Sequence, residues 1–162
     1  MGVACGSAPD ETGRVSALVT RPPKDTVRFQ APARASRCGD APGSGVLLQG
    51  STGGNGVIVW LRTADSVVSG TWPLLQRGDT ISSRGATVAV RFMVGDIAHG
   101  APLDSGAVEV RENTRLLTVV ARGTGLEPTV AGRVTLEATF DRVALDADTV
   151  PCRPKPLRSG SA

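Results

Sequence analysis

Thr87-Val88-Ala89-Val90-Arg91-Phe92-Met93-Val94 and Arg133-Val134-Thr135-Leu136-Glu137-Ala138-Thr139-Phe140-Asp141 carry the same pattern. Apolar residues recur at every second position, the period of side chains on a strand with one buried face. Val88, Val90, Phe92 and Val94 share one face of the first segment, and Val134, Leu136, Ala138 and Phe140 share one face of the second. Between them, Val108 and Val110 are flanked by Glu109 and Arg111, and a more apolar run follows from Leu116 to Ala121. The stretch from Ala86 to Val143 therefore reads as an antiparallel meander laid against a core.

The chain around it is cut by turn signals at Gly78-Asp79-Thr80, Gly95-Asp96-Ile97, Leu103-Asp104-Ser105-Gly106, Asn113 and Gly123-Thr124-Gly125. This is the spacing that many short strands need. Upstream, Val46 to Gln49 and Val57 to Leu61 read as strands. They are joined by Gly50 to Gly56, whose glycines and asparagine tolerate positive φ in a hairpin. A phosphate-cradling loop is the functional alternative there, but no Gly-Lys-Ser/Thr ending or helical pattern follows. Trp72-Pro73 confines Val67 to Leu75 to an edge or a strand start, because proline cannot donate to a ladder. Leu145 to Cys152 reads as a closing strand. No window combines a 3.6-residue apolar period with caps at both ends, so long helices are not expected. The expectation is an all-β domain over 35–153: an antiparallel β-sandwich of about eight short strands, with a small β-barrel as the alternative.

At 162 residues the chain suits one domain plus a tail. Residues 1–34 read as a signal remnant followed by a flexible, disordered tether rich in Pro and Arg, since prolines 22, 23 and 32 interrupt any continuous element. Residues 154–162 read as a disordered tail. The net charge is only +3, and the sixteen arginines are scattered among acidic residues. With three Phe, two Trp and no Tyr, stacking platforms are scarce as well. A nucleic-acid binder needs a basic stripe or such platforms, so that class is excluded.

Three cysteines, at positions 5, 38 and 152, form an odd set. Cys38 and Cys152 flank the expected domain, and a bridge between them would tie its two ends together. Closing so long a loop stabilises by up to about 5 kcal/mol in the chain-entropy model. The alternative is two buried free thiols. Zinc would require closely spaced cysteine pairs with histidines, which are absent, so no metal is assigned.

Gly2-Val3-Ala4-Cys5 resembles the end of a bacterial lipoprotein signal, in which a small-residue tripeptide precedes the cysteine that receives the lipid. Ala4 and Val3 match that pattern, whereas Gly2 departs from the usual leucine. The charged start and apolar stretch of such a signal do not precede it, and an upstream part of the reading frame is expected to supply them. The layout as a whole (acyl-cysteine, tether, disulfide-closed β domain) is similar to that of small bacterial lipoproteins. That resemblance implies lipidation of Cys5, attachment to a membrane, and a domain facing the cell envelope or the exterior. It implies no catalytic activity. A stray cysteine at a free terminus is the alternative for Cys5.

Candidates for chemistry are few. Leu103-Asp104-Ser105-Gly106-Ala107 resembles the Asp-Ser/Thr-Gly-Ala signature of retroviral-type aspartic proteases, in which paired carboxylates share a proton and activate water. On that resemblance Asp104 is the catalytic aspartate, although Gly100-Ala101-Pro102 breaks the apolar strand the family runs into it. A tight turn is the competing account of Asp104. His99, the single histidine, is expected as a solvated turn residue in Ala98-His99-Gly100. Aspartates 79, 96 and 104 could meet at one end of a sandwich and hold Ca²⁺. Trp60 and Trp72 read either as packing residues or as a ligand platform. The expected function is that of a non-catalytic, envelope-associated binding or structural module for a protein or glycan. No cofactor is assigned, and a hydrolase using Asp104 is the alternative.

Overall fold

A computed structural model describes residues 13–39, 45–128 and 132–152. Among them run ten strands: β1 (Arg14–Arg21), β2 (Asp25–Cys38), β3 (Gly45–Thr52), β4 (Asn55–Arg62), β5 (Gly70–Pro73), β6 (Gly85–Val94), β7 (Ile97–Pro102), β8 (Ser105–Asn113), β9 (Leu116–Leu126) and β10 (Arg133–Val150). The protein is all-β, as the alternation requires. Val88, Val90 and Phe92 on β6 are buried, as are Leu136, Ala138 and Phe140 on β10, while Thr87, Arg91, Thr135 and Glu137 are exposed.

Hydrogen bonding orders the strands β5-β8-β9-β10-β1-β2-β3-β4-β6-β7. Neighbours in that order pair antiparallel, and the end of β10 returns to pair parallel with β2 through Leu145–Ala35 and Val150–Cys38. Two half-sheets result. The first holds β5, β8, β9, β10, β1 and the start of β2; the second holds the ends of β10 and β2 with β3, β4, β6 and β7. One apolar cluster fills the space between them, with Val15, Leu48, Trp72, Phe92, Val119 and Phe140 among its members.

Three features carry the chain between the two halves. Pro32 ends the β1–β2 pairing opposite Arg14, and the pairing with β3 begins at Ala33, so proline occupies a corner where its missing N–H costs no ladder bond. On β10 the register slips between Phe140 and Val143, where Arg142 takes a φ of 49°, as a bulge that re-aims a strand does. The crossover Leu103–Asp104 carries the chain from β7 in one half to β8 in the other.

The structure corrects several expectations. The strands number ten among the described residues, and two are long, at 14 and 18 residues. The segment 86–143 is not one meander: β6–β7 is a hairpin of the second half-sheet, and β8–β9–β10 is a meander of the first. Residues 14–34 of the expected tether are core strands, with Val15, Val19 and Ala31 fully buried. The prolines misled because none interrupts a ladder. Pro22 and Pro23 lie in the β1–β2 turn and Pro32 at the corner, while the alternation of Val15, Ala17 and Val19 runs uninterrupted before them. Residues 1–12 and 154–162 lie outside the described residues. Gly123-Thr124-Gly125 is strand rather than turn. A Cβ on Gly125 would meet Pro102 O at 1.9 Å and one on Gly123 would meet Ser105 O at 2.2 Å, so these glycines admit the crossover.

Candidate functional site

The most concentrated polar chemistry among the described residues joins four strands. Arg21 ends β1 and Asp25 opens β2, opposite each other across the hairpin, and Arg21 Nη1 donates to Asp25 Oδ2 at 2.8 Å. Glu127 follows β9, and its Oε2 accepts from Arg21 Nε at 2.8 Å. Its Oε1 bonds His99 Nδ1, on the middle of β7. The side chain of Glu127 is 3% exposed and that of His99 13%. The His99 ring stacks on Phe92, its direct partner in the β6–β7 pairing, with centroids 5.6 Å apart.

The electrostatics follow from this geometry. Burial pushes the Glu127 carboxyl up. The hydrogen bonds from Arg21 and His99, with their charges, outweigh burial and hold it below its ordinary value. Glu127 and Asp25 in turn raise Arg21. A histidine oriented by a carboxylate is the pair that general-base catalysis uses. Here the second carboxylate oxygen is spent on Arg21, and no group of three or more His, Cys, Asp or Glu side chains is placed to hold a metal among the described residues. The arrangement fastens strands together. It also corrects the expectation for His99, which is a half-buried strand residue rather than a solvated turn. Pairing partners 28 and 106 residues apart left no local signal.

Asp104 lies in the crossover, its side chain 46% exposed and bonded to the Arg133 guanidinium from β10. Its backbone N–H donates to Thr124 O at 3.0 Å, and that of Leu103 to Val88 O at 2.9 Å. The residues that resemble a protease signature thus have a local purpose. Buried Leu103 plugs the core, Asp104 turns the chain, and Gly106, with a φ of 132°, fits where a Cβ would meet Arg122 O at 2.1 Å. Within this chain, the partner that the fold gives Asp104 is the Arg133 cation.

The loop aspartates take separate places. Asp79 closes its own turn, accepting from the backbone N–H groups of Ile81 and Ser82 and from the Ser82 hydroxyl at 2.6–2.9 Å. These bonds, the hydroxyl's foremost, hold its carboxyl below the ordinary range. Arg62 ties the loop down by donating to the carbonyls of Asp79 at 2.8 Å and Ser82 at 3.1 Å, which leaves Ile81 at the tip 94% exposed. Asp96 lies in the β6–β7 turn. The three aspartates form no joint calcium site among the described residues.

The two tryptophans divide. Trp72 is fully buried, and its Nε1 donates to Val68 O at 3.1 Å, so it is core and not a platform. Trp60 faces outward on β4, half-buried, with the Arg62 guanidinium 4.9 Å from its ring centre. On the outer face of the first half-sheet a shallow groove of about 540 Å³ runs over Leu18, bordered by Ser16, Arg28, Gln30, Glu137 and Thr139. Its rim carries polar side chains because these positions alternate with the buried Ala17, Phe29 and Ala138.

Cys38 and Cys152 form a disulfide with an S–S distance of 2.02 Å, across 114 residues of sequence. It fastens the end of β10 to the end of β2, beside their last pair, Val150–Cys38. The expected closing strand is the continuation of β10. Cys5, the expected lipid site, lies outside the described residues. No protein-family model matches this chain, and neither a curated protein nor a solved structure matches it.

Proposed function

We propose that this chain is a non-catalytic module of the bacterial cell envelope, attached to a membrane through a lipid on Cys5 and offering its β domain to a protein or glycan. The observation that carries the reading is the Cys38–Cys152 bond. Structural disulfides persist in oxidising compartments, whereas the cytosolic thiol pool keeps cysteines reduced. The remaining cysteine, Cys5, stands in the lipoprotein-like Gly2-Val3-Ala4-Cys5, which gives it a separate task.

The outer surfaces suit recognition rather than reaction. The groove of Ser16, Arg28, Gln30, Glu137 and Thr139 offers hydroxyl, amide, guanidinium and carboxylate groups together, as hydroxyl-rich glycans or peptide backbones require. Trp60 adds a half-buried indole on the opposite half-sheet. The alternative, an aspartic protease using Asp104, would require the Arg133 guanidinium to leave its carboxylate.

The test is expression from the complete genomic reading frame in a bacterial host, followed by detergent phase partition and intact mass. A lipid-modified polypeptide beginning at Cys5, moved to the aqueous phase by Cys5→Ser, is the expected result. Residues 38 and 152 should resist alkylation until reductant is added. Recovery of an unmodified cytosolic protein with both thiols free would sink the proposal.

A further inference from the structure

Strand β7 is an edge: β6 pairs with one side of it, and no strand pairs with the other among the described residues. What holds that side to the first half-sheet is the His99–Glu127 contact at mid-strand and, past its end, the Asp104 N–H bond to Thr124 O of β9. An edge left with unpaired backbone groups is the part of a sheet most open to strand addition, and it needs a cover or a fastening.

We propose that the Arg21–Glu127–His99 bridge is an acid-released latch on β7. Protonation of Glu127 uncouples this edge from the first half-sheet while the other strands stay paired. Arg21 comes from β1, Glu127 from the residue just past β9 and His99 from β7, so the bridge spans the gap between half-sheets. Its two arms are unequal. When Glu127 gains a proton, Arg21 keeps Asp25 at 2.8 Å, whereas His99 is left against the uncharged Phe92 ring. Release therefore falls on the β7 side.

The charged groups around Glu127 are Arg21 from β1, Asp25 from β2 acting through Arg21, and His99 from β7. Arg133 of β10, near in sequence register, is bonded to Asp104 and Thr124. With a protonated imidazole the contact is an ion pair and with a neutral one a hydrogen bond, and Glu127 accepts in both cases. Because its carboxyl is held below the ordinary 4.5, the latch is complete above that value and is lost as pH falls through the lower folded one.

Amide hydrogen exchange followed by NMR on the whole chain, corrected for intrinsic rates between pH 7 and pH 3, tests the latch. Protection of residues 97–100 should fall by roughly tenfold or more relative to β3 and β4, the scale of a lost charge-assisted bond. In Glu127→Gln, residues 97–100 should be weakly protected already at pH 7 and respond little to acid. His99→Ala, which leaves the Arg21–Glu127 and Arg21–Asp25 bonds in place, should do the same and decides the matter alone should Glu127→Gln not fold. The latch is refuted by β7 protection that tracks β3 and β4 at every pH, or by a folded variant with the wild-type β7 profile.

Discussion

The molecule is fastened at two places by opposite chemistries. At one, Cys38 and Cys152 bind the ends of β2 and β10 covalently, within a parallel ladder that already holds them together. At the other, β7 has no ladder on its outer side, and Arg21, Glu127 and His99 close the gap with hydrogen bonds and charge. The first closure acts largely on the unfolded chain, by removing the entropy of a long open loop, and is indifferent to pH. The second acts on the folded chain alone and depends on one carboxylate staying ionised. A fold can thus be made permanent at one seam and conditional at another.

The strongest test of this contrast goes beneath the charged seam. Phe92 is fully buried and supports the His99 ring, so Phe92→Ala should cost about 3–5 kcal/mol in chemical denaturation, at neutral and acid pH alike. Next in size, Cys38→Ser with Cys152→Ser should cost about 2–5 kcal/mol. Reductant should reproduce the loss in the wild type, and the loss should be the same at pH 7 and pH 4.

Glu127→Gln should lower the melting temperature by a smaller amount, roughly 2–6 °C at pH 7. The sign of its pH dependence follows from the lowered carboxyl: the wild-type advantage is full above the ordinary glutamate value and fades as pH drops below it. An advantage that persisted unchanged at pH 3 would place the effect in packing and not in charge. The smallest effect belongs to Asp104→Asn. Its bond to Arg133 is between side chains 46% and 42% exposed, so the change should stay within about 1 kcal/mol. A large loss there would mean that exposed ion pairs fasten this fold as firmly as buried ones.

Two misreadings in the sequence have physical causes. Strands β1 and β2 were hidden because Ala17, Ala31, Ala33 and Ala35 are buried without announcing a core, and because proline marks a break only where a ladder needs its N–H. His99 was hidden by short neighbours, Ala98 and Gly100, which read as loop. A strand edge accepts them, since its fastening comes from a side chain and not from a second ladder.

The period of two in Val88 to Val94 and Val134 to Phe140 was legible by itself, because a strand's side chains alternate whatever lies opposite. The pairing of Cys38 with Cys152 was legible as well, but for the wrong reason: Cys38 ends β2 inside the domain, and the bond joins two strand ends, not the two ends of the domain. Tertiary structure alone decided where β2 and β10 bend from one half-sheet to the other. It also decided that Glu127 meets Arg21 and His99. Those contacts depend on register and closure summed over ten strands, and no short window of residues contains that sum.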